Sequence, residues 1–278
     1  MRTVRITLAY DGGRYAGWQR QANGPSVQAA VEQALETLEE RKVAVVGAGR
    51  TDAGVHALGQ VASATLSREI EPAALVRALN ARLPHDIRVL AAADAPDGFN
   101  ARFAAREKLY RYRIFNRAIG DPFERRYSWH VARPLDFDAL ADALAVVEGQ
   151  HDFAAFQATG SHVTSTVRTL SGVSAQLTAW APMRGAVEPD VEEGGVVSLD
   201  FRGDGFLRHM VRNIVGSVVQ VGLGRRRARW MADVLDGRDR RRAGPTAPPE
   251  GLFLVSVRYA ADPPAGGGHD WHPVDDER

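Results

Sequence analysis

Between Val43 and Gln60 the chain reads VAVVGAGRTDAGVHALGQ, placing Arg50, Thr51, Asp52 and His56 among Gly47, Gly49, Gly54 and Gly59. Glycine this dense lets the backbone take positive φ and lets another molecule approach closely. An arginine beside a carboxylate holds it ionised at neutral pH and aims it. Such a carboxylate can attack an electrophilic carbon or accept a proton. The plainer reading of the same residues is a tight turn with a solvated ion pair. With no cysteine in the chain, thiol nucleophiles, thiolate metal sites and disulfides are excluded, and Asp52 is the leading catalytic candidate. Asp52 and His56 stand four apart, as metal pairs do. Gly54 between them argues against a helix, however, and no third ligand stands at a suitable spacing. His56 therefore reads as a hydrogen-bonded structural residue.

The elements that must position this loop follow from periodicity. Val4, Ile6 and Leu8 alternate with polar residues, giving a strand over residues 3–10. The loop RYAGWQRQ mixes Tyr15 and Trp18 with Arg and Gln, which suits base and phosphate contacts and an ordinary packed loop equally. Ser26 is placed to cap a helix carrying Val27, Val31, Leu35 and Leu38. Strands are expected at Val43–Val46, Gln60–Leu66 and Ile87–Leu90, and a helix at Pro72–Leu83. This alternation allows a parallel sheet or an α+β sandwich. A domain boundary is expected near residues 94–107. Beyond it, LYRYRIFN places Tyr110, Tyr112 and Ile114 on one face of a strand. Asp136 or Asp138 caps a helix that Gly149 ends, and residues 151–162 read as loop. Strands are expected at Val167–Trp180, Val196–Arg202 and Phe253–Tyr259, helices at Leu207–Val221 and Trp230–Leu235, a hairpin tip at 181–195, and a disordered tail at 263–278.

Length and charge bound the function. A chain of 278 residues with 45% hydrophobic content holds one large or two medium domains. Net charge is +1, but the basic residues are nearly all arginine and cluster at 225–229 and 238–242. Clusters of this kind point to a polyanion met on one face, or to a solvated arginine-rich surface. No run approaches the roughly 18 apolar residues of a membrane span, and the N-terminal stretch MRTVRITLAY lacks the apolar core of a signal peptide. A cytoplasmic protein without membrane contact is expected.

Four blocks in order, YDGGRYAGWQRQ, GAGRTDAGVHALGQV, KLYRYRIFN and GFLRHMVRNIVGS, resemble the tRNA pseudouridine synthase A family, over about Arg2 to Ala260. The resemblance implies the pseudouridine synthase fold: α+β, with two ferredoxin-like-type domains, each a mostly antiparallel sheet with helices on one face, the sheets flanking a central cleft. The domains would be 1–105 and 106–262. It implies a cofactor-free homodimer acting on tRNA, converting uridines of the anticodon stem-loop, at positions 38, 39 and 40, to pseudouridine. The essential carboxylate falls on Asp52 and the preceding arginine on Arg50. Tyr110 is the tyrosine that packs against the target base, and Arg212 is the arginine that pairs with the aspartate. The arginine-rich segment 225–242 and the tail match no family motif. The apolar face of the helix at 207–221 is a further reason to expect a dimer.

The implied reaction cuts the N1–C1′ bond, turns the uracil and rejoins it through C5. No redox change occurs and no water is consumed, so no cofactor is required. A carboxylate can serve as nucleophile at C1′ or C6, or as base toward the 2′ proton, and the sequence leaves these routes open. The target base must leave its stack, and Arg50 could fill the vacated space or hold a phosphate. Two other classes remain on the residues alone: a non-catalytic RNA-binding protein on the same fold, and a hydrolase using Asp52 with His56.

Overall fold

Val4, Ile6 and Leu8, all buried, form one face of β1 (Arg2–Tyr10) in the computed structural model, which describes residues 1–22, 24–160, 163–180, 194–260 and 262. The Ser26 hydroxyl accepts the Ala29 N–H at 3.3 Å and starts α1 (Val27–Glu39), which buries Val27, Val31 and Leu35. A short strand, β2 (Val45–Gly47), enters the glycine-rich loop. The next strand, β3 (His56–Leu66), begins inside the glycine stretch, earlier than the expected Gln60. Then come α2 (Pro72–Asn80), β4 (Ile87–Ala95), β5 (Ala105–Asn116) and the short β6 (Trp129–His130). Asp136 caps α3 (Phe137–Ala145), which ends before Gly149. Gly149, at φ 101°, instead opens β7 (Gly149–Asp152), whose last two residues fall in the stretch expected to be loop. The remainder is β8 (Val167–Ala179), β9 (Gly195–Gly203), α4 (Met210–Gly222), α5 (Trp230–Gly237) and β10 (Leu252–Tyr259). Most of the expected hairpin tip, at 181–193, and the tail at 263–278 lie outside the described residues.

The strands form one path, β4-β1-β3-β10-β5-β9-β8-β7, with β2 added on β3 and β6 on β5. All pairings are antiparallel except β10 on β3 and β6 on β5. This is the expected α+β, mostly antiparallel architecture, with the sheets of the two halves joined edge to edge. The join is short: β10 pairs along its whole length with β5, from Tyr112 to Ala105, but meets β3 only at Phe253↔His56 and Leu254↔Ala57. β1 occupies the other edge of β3 along its length, so β2, opposite Ala62–Ala64, and β10 share the remaining edge. The loop bearing Asp52 leaves the sheet in the gap between them.

The helix α4 differs from expectation in its surroundings. It starts at Met210 rather than Leu207, and all but a few of its residues are buried within the chain. Its apolar face is therefore already covered and gives no reason for a dimer. The loop at residues 244–247 lies so close that a Cβ at Gly216 would fall 1.7 Å from the Pro245 carbonyl oxygen, which only glycine avoids.

Candidate active site

Three side chains and several backbone groups fix the loop that carries Asp52. The Ala48 N–H donates to the Val61 carbonyl at 2.7 Å, continuing the sheet one step past β2. Fully buried Gln60 then imitates a strand. Its amide donates to the Gly49 carbonyl at 2.9 Å and accepts the Gly49 N–H at 3.3 Å. Tyr10 and Thr51 share a hydrogen bond of 2.8 Å between their hydroxyls, and the Trp18 N–H donates to the Thr51 carbonyl at 3.0 Å. Burial pushes the Tyr10 hydroxyl up to about 12, so it stays protonated and able to donate. Gly54, at φ 78°, turns the chain back into β3.

The side chain of Asp52, 27% exposed, faces two groups from α4 and its approach. Its Oδ2 lies 3.5 Å from Arg212 Nη1 and 3.6 Å from His209 Nε2. Arg212 is itself aimed, its Nε donating to the Ala247 carbonyl at 2.7 Å. His209 sits just before α4 at φ 62°, an uncommon conformation for a side chain with a Cβ. Burial first, then the positive charges of Arg212, Arg208 and Arg240, lower its pKa against the pull of Asp52. The imidazole is therefore neutral at pH 7. Deeper in, Asn213 ties α4 to its surroundings. It donates to the Phe156 carbonyl at 2.8 Å and accepts from Thr246 at 2.6 Å and Arg240 at 3.1 Å. Arg240 also donates to the Gly244 carbonyl at 2.9 Å. Part of the arginine-rich segment is thus internal scaffolding for α4.

Tyr110, on β5, is buried edge-on against Phe206, with centroids 4.9 Å apart. A Cβ at Gly49 would stand 3.5 Å from its hydroxyl, so the tyrosine borders the Asp52 loop. Its pKa is raised, chiefly by burial, then by Tyr10 and Asp52. The stem of Lys108, one of two lysines in the chain, lies against the same glycine. Burial, with Arg102 and Arg168 nearby, lowers the Lys108 pKa against Asp204. The structure thus brings Asp52, Arg212 and Tyr110 together. Arg50 is different: it is exposed and makes no hydrogen bond or ion pair among the described residues.

Lys108 and Gln60 do not stand out in the sequence, and Arg240 does so only as one member of an arginine cluster. His209 carries a signal, since it stands three residues before Arg212 in the same HMVRN block. His56 is buried, stacked on Phe253 at 4.8 Å, and its Nδ1 accepts the Gly12 N–H at 3.1 Å. That is the structural role its spacing implied, removed from the group around Asp52. Chemically, the group offers one carboxylate with a cation and an imidazole beside it and an aromatic ring bordering its loop, while Arg50 stands exposed two residues before the carboxylate in sequence.

A family model described as tRNA pseudouridine synthase matches residues 6–104 and 143–260. The chain is 44% identical over 265 residues to the tRNA pseudouridine synthase A of Myxococcus xanthus, covering 95% of each protein. It is 42% identical to that of Pelobacter propionicus and 43% to that of Moorella thermoacetica, in each case covering 93% of this chain and 100% of the relative. A solved structure, "Crystal Structure of a Cbf5-Nop10-Gar1 Complex", overlaps 90% of this chain and 48% of its own at 11% identity and a TM-score of 0.36. The chain belongs to the tRNA pseudouridine synthase A family. It is an isomerase of that class, making pseudouridine from uridine in tRNA.

Proposed function

We propose that this enzyme isomerises uridine in the anticodon stem-loop of tRNA, at positions 38, 39 and 40, with Asp52 as its essential carboxylate. The observation that carries the reading is the placement of Asp52 Oδ2 between Arg212 and His209, on a glycine loop bordered by the ring of Tyr110. In this reading Arg212 aims the carboxylate and Tyr110 supports the turned uracil. Arg50, exposed and unpaired, enters the space left when the target nucleotide is drawn out of its stack, which itself costs a few kcal/mol. Arg225, Arg226, Arg227 and Arg229, exposed or nearly so, bind the RNA backbone and make affinity fall with salt. The residues on either side of the short β3–β10 join act as two domains, 1–105 and 106–262, with the site between them.

The enzyme works as a homodimer in the cytoplasm, where its substrate is. Among the described residues no helix is long and apolar enough to cross a membrane. The test is tritium release from tRNA carrying 5-³H-uridine, followed by mapping of the modified positions. Release confined to the anticodon arm and absent with Asp52→Asn supports the reading. Release from another arm overturns the choice of site, and release that persists with Asp52→Asn overturns the role of the carboxylate.

A further inference from the structure

Phe103 is 79% exposed, although the turn that carries it is tied by several hydrogen bonds. The Asn100 side chain accepts the N–H groups of Arg102 and Phe103 at 3.0 and 3.2 Å, and its carbonyl accepts the Ala104 N–H at 3.0 Å. Buried Ala101 is fastened from both halves of the sheet. Its N–H donates to the Ser63 hydroxyl of β3 at 3.1 Å, and its carbonyl accepts the Tyr259 hydroxyl of β10 at 2.8 Å. Phe99 packs on the Tyr259 ring at 5.2 Å. A mobile loop could fold an aromatic ring away from water, but this turn holds it out. An exposed phenylalanine forgoes the stabilisation its burial would bring, and the fastened backbone keeps the ring presented.

The surroundings indicate what covers it. The Arg102 guanidinium lies 5.6 Å from the Phe103 ring centroid. Exposed Arg106 follows at the start of β5. Glu107 comes next, its carboxylate taken by Ser171 and Arg258, and then Lys108, close enough to Arg102 for their charges to interact, with its stem against Gly49 and the Tyr110 hydroxyl near the same glycine. Asp204 is the acid near Lys108. The ring therefore stands on a positive rim leading to the Asp52 loop. Phe123, also exposed at 71%, has no guanidinium over its ring among the described residues.

We propose that Phe103 is a stacking platform for an unpaired base of the RNA substrate, next to or near the nucleotide delivered to Asp52, with Arg102 meeting the phosphate that accompanies that base. Any base offers a π face, so the platform tolerates sequence while fixing the path of the strand. The proposal rests on the RNA-modifying reading above.

The experiment is a filter-binding titration of an unmodified tRNA transcript over a salt series with the parent enzyme and with Phe103→Ala, Phe103→Trp and Arg102→Ala. Tritium release by the parent serves as the separate check on the reading beneath. Because Phe103 is exposed, its variants should melt at the parent temperature. Phe103→Ala should weaken binding by about 5- to 150-fold with the salt slope unchanged. Phe103→Trp should bind at least as well as the parent, and Arg102→Ala should make the slope shallower by about 0.7–0.9. Parent-like binding by Phe103→Ala, in a parent that isomerises tRNA, overturns the platform and leaves the proposed function standing. Loss of a dimer by light scattering with tRNA affinity unchanged also overturns it, by assigning the ring to a second copy of the chain. A parent that binds tRNA but releases no tritium overturns the proposed function instead.

Discussion

Two groups of arginines lie on α4, against it or just past its end, and they behave as different residues. Arg212 and Arg240 are partly buried and occupied: the first reaches the Asp52 carboxylate and the Ala247 carbonyl, the second Asn213, Thr246 and the Gly244 carbonyl. Arg225, Arg226, Arg227 and Arg229 are exposed, apart from a long hydrogen bond of Arg225 to Gln220 at 3.2 Å and the stacking of Arg226 on Trp230 at 5.4 Å. Charge density is higher in the second group, yet the first shapes the site. A guanidinium surrounded by fixed acceptors transmits geometry, whereas one in water transmits mainly charge.

The strongest probe of that contrast removes what Arg212 serves. Asp52→Asn should lower single-turnover pseudouridine formation by about 10⁴-fold while tRNA affinity holds or tightens slightly, because a negative charge facing a polyanion is lost. Residual turnover within about tenfold of the parent would make Asp52 a structural residue. Arg212→Ala should follow, with a rate loss of about 10²-fold and little change in binding. If its affinity falls as much as its rate, Arg212 belongs with the solvated group. Replacing Arg225, Arg226 and Arg227 by alanine should do the reverse: turnover at saturating tRNA is kept, and the slope of log affinity against log salt becomes shallower by about 0.7–0.9 for each phosphate no longer neutralised. Arg240→Met should lower stability by about 1–3 kcal/mol in urea unfolding, because the Gly244 carbonyl loses its donor.

The smallest expected effect concerns the two histidines. Burial lowers the pKa of both His56 and His209, so the folded state binds fewer protons than the unfolded chain below the ordinary histidine value of 6.5. Stability is then full above that value and declines as pH falls through it. The His56 ring is faced by Asp11 Oδ1 at 3.2 Å, by Tyr127 and by Phe253, with Arg126 on Asp11. Melting between pH 7 and pH 5 should show a loss of about 1 kcal/mol that His56→Gln reduces. The depressed pKa values of Asp11, Glu39 and Asp262 act in the same direction at lower pH, as those carboxylates protonate. A pH profile as steep with His56→Gln as with the parent would leave His209 and the carboxylates as the source.

Much of this was legible before the structure. Val4, Ile6 and Leu8, the α1 stripe, and Tyr110, Tyr112 and Ile114 were readable because a buried face imposes a period on sequence. Asp52 was readable because its loop needs glycine and charge at fixed places. The strand β7 was not, since four residues, GQHD, carry too little alternation and Gly149 resembles a helix stop. The early start of β3 was hidden by the composition of the glycine stretch it begins in. The roles of Gln60 and Arg240 were not readable, because they lie in hydrogen bonds to groups that pairing and packing bring near, which leave no local pattern. The position of β10 between β3 and β5 is likewise a fact of pairing, not of periodicity.

That position has a consequence for how the enzyme comes into being. β10 follows every other described strand in the chain, yet it lies at the middle of the sheet, and the two halves touch as a sheet only through it. On the ribosome, β1 to β4 can pair as soon as they emerge, and so can β5 with β9. The seam beside the Asp52 loop must wait for the last strand to be synthesised. Closing it is a long-range step, slow relative to local pairing. Until then the Tyr259 fastening of the Phe103 turn is missing, and the edges of β3 and β5 stand open. A nascent chain therefore carries Asp52, Tyr110 and Arg212 before the pairing that joins their two halves into one sheet can form.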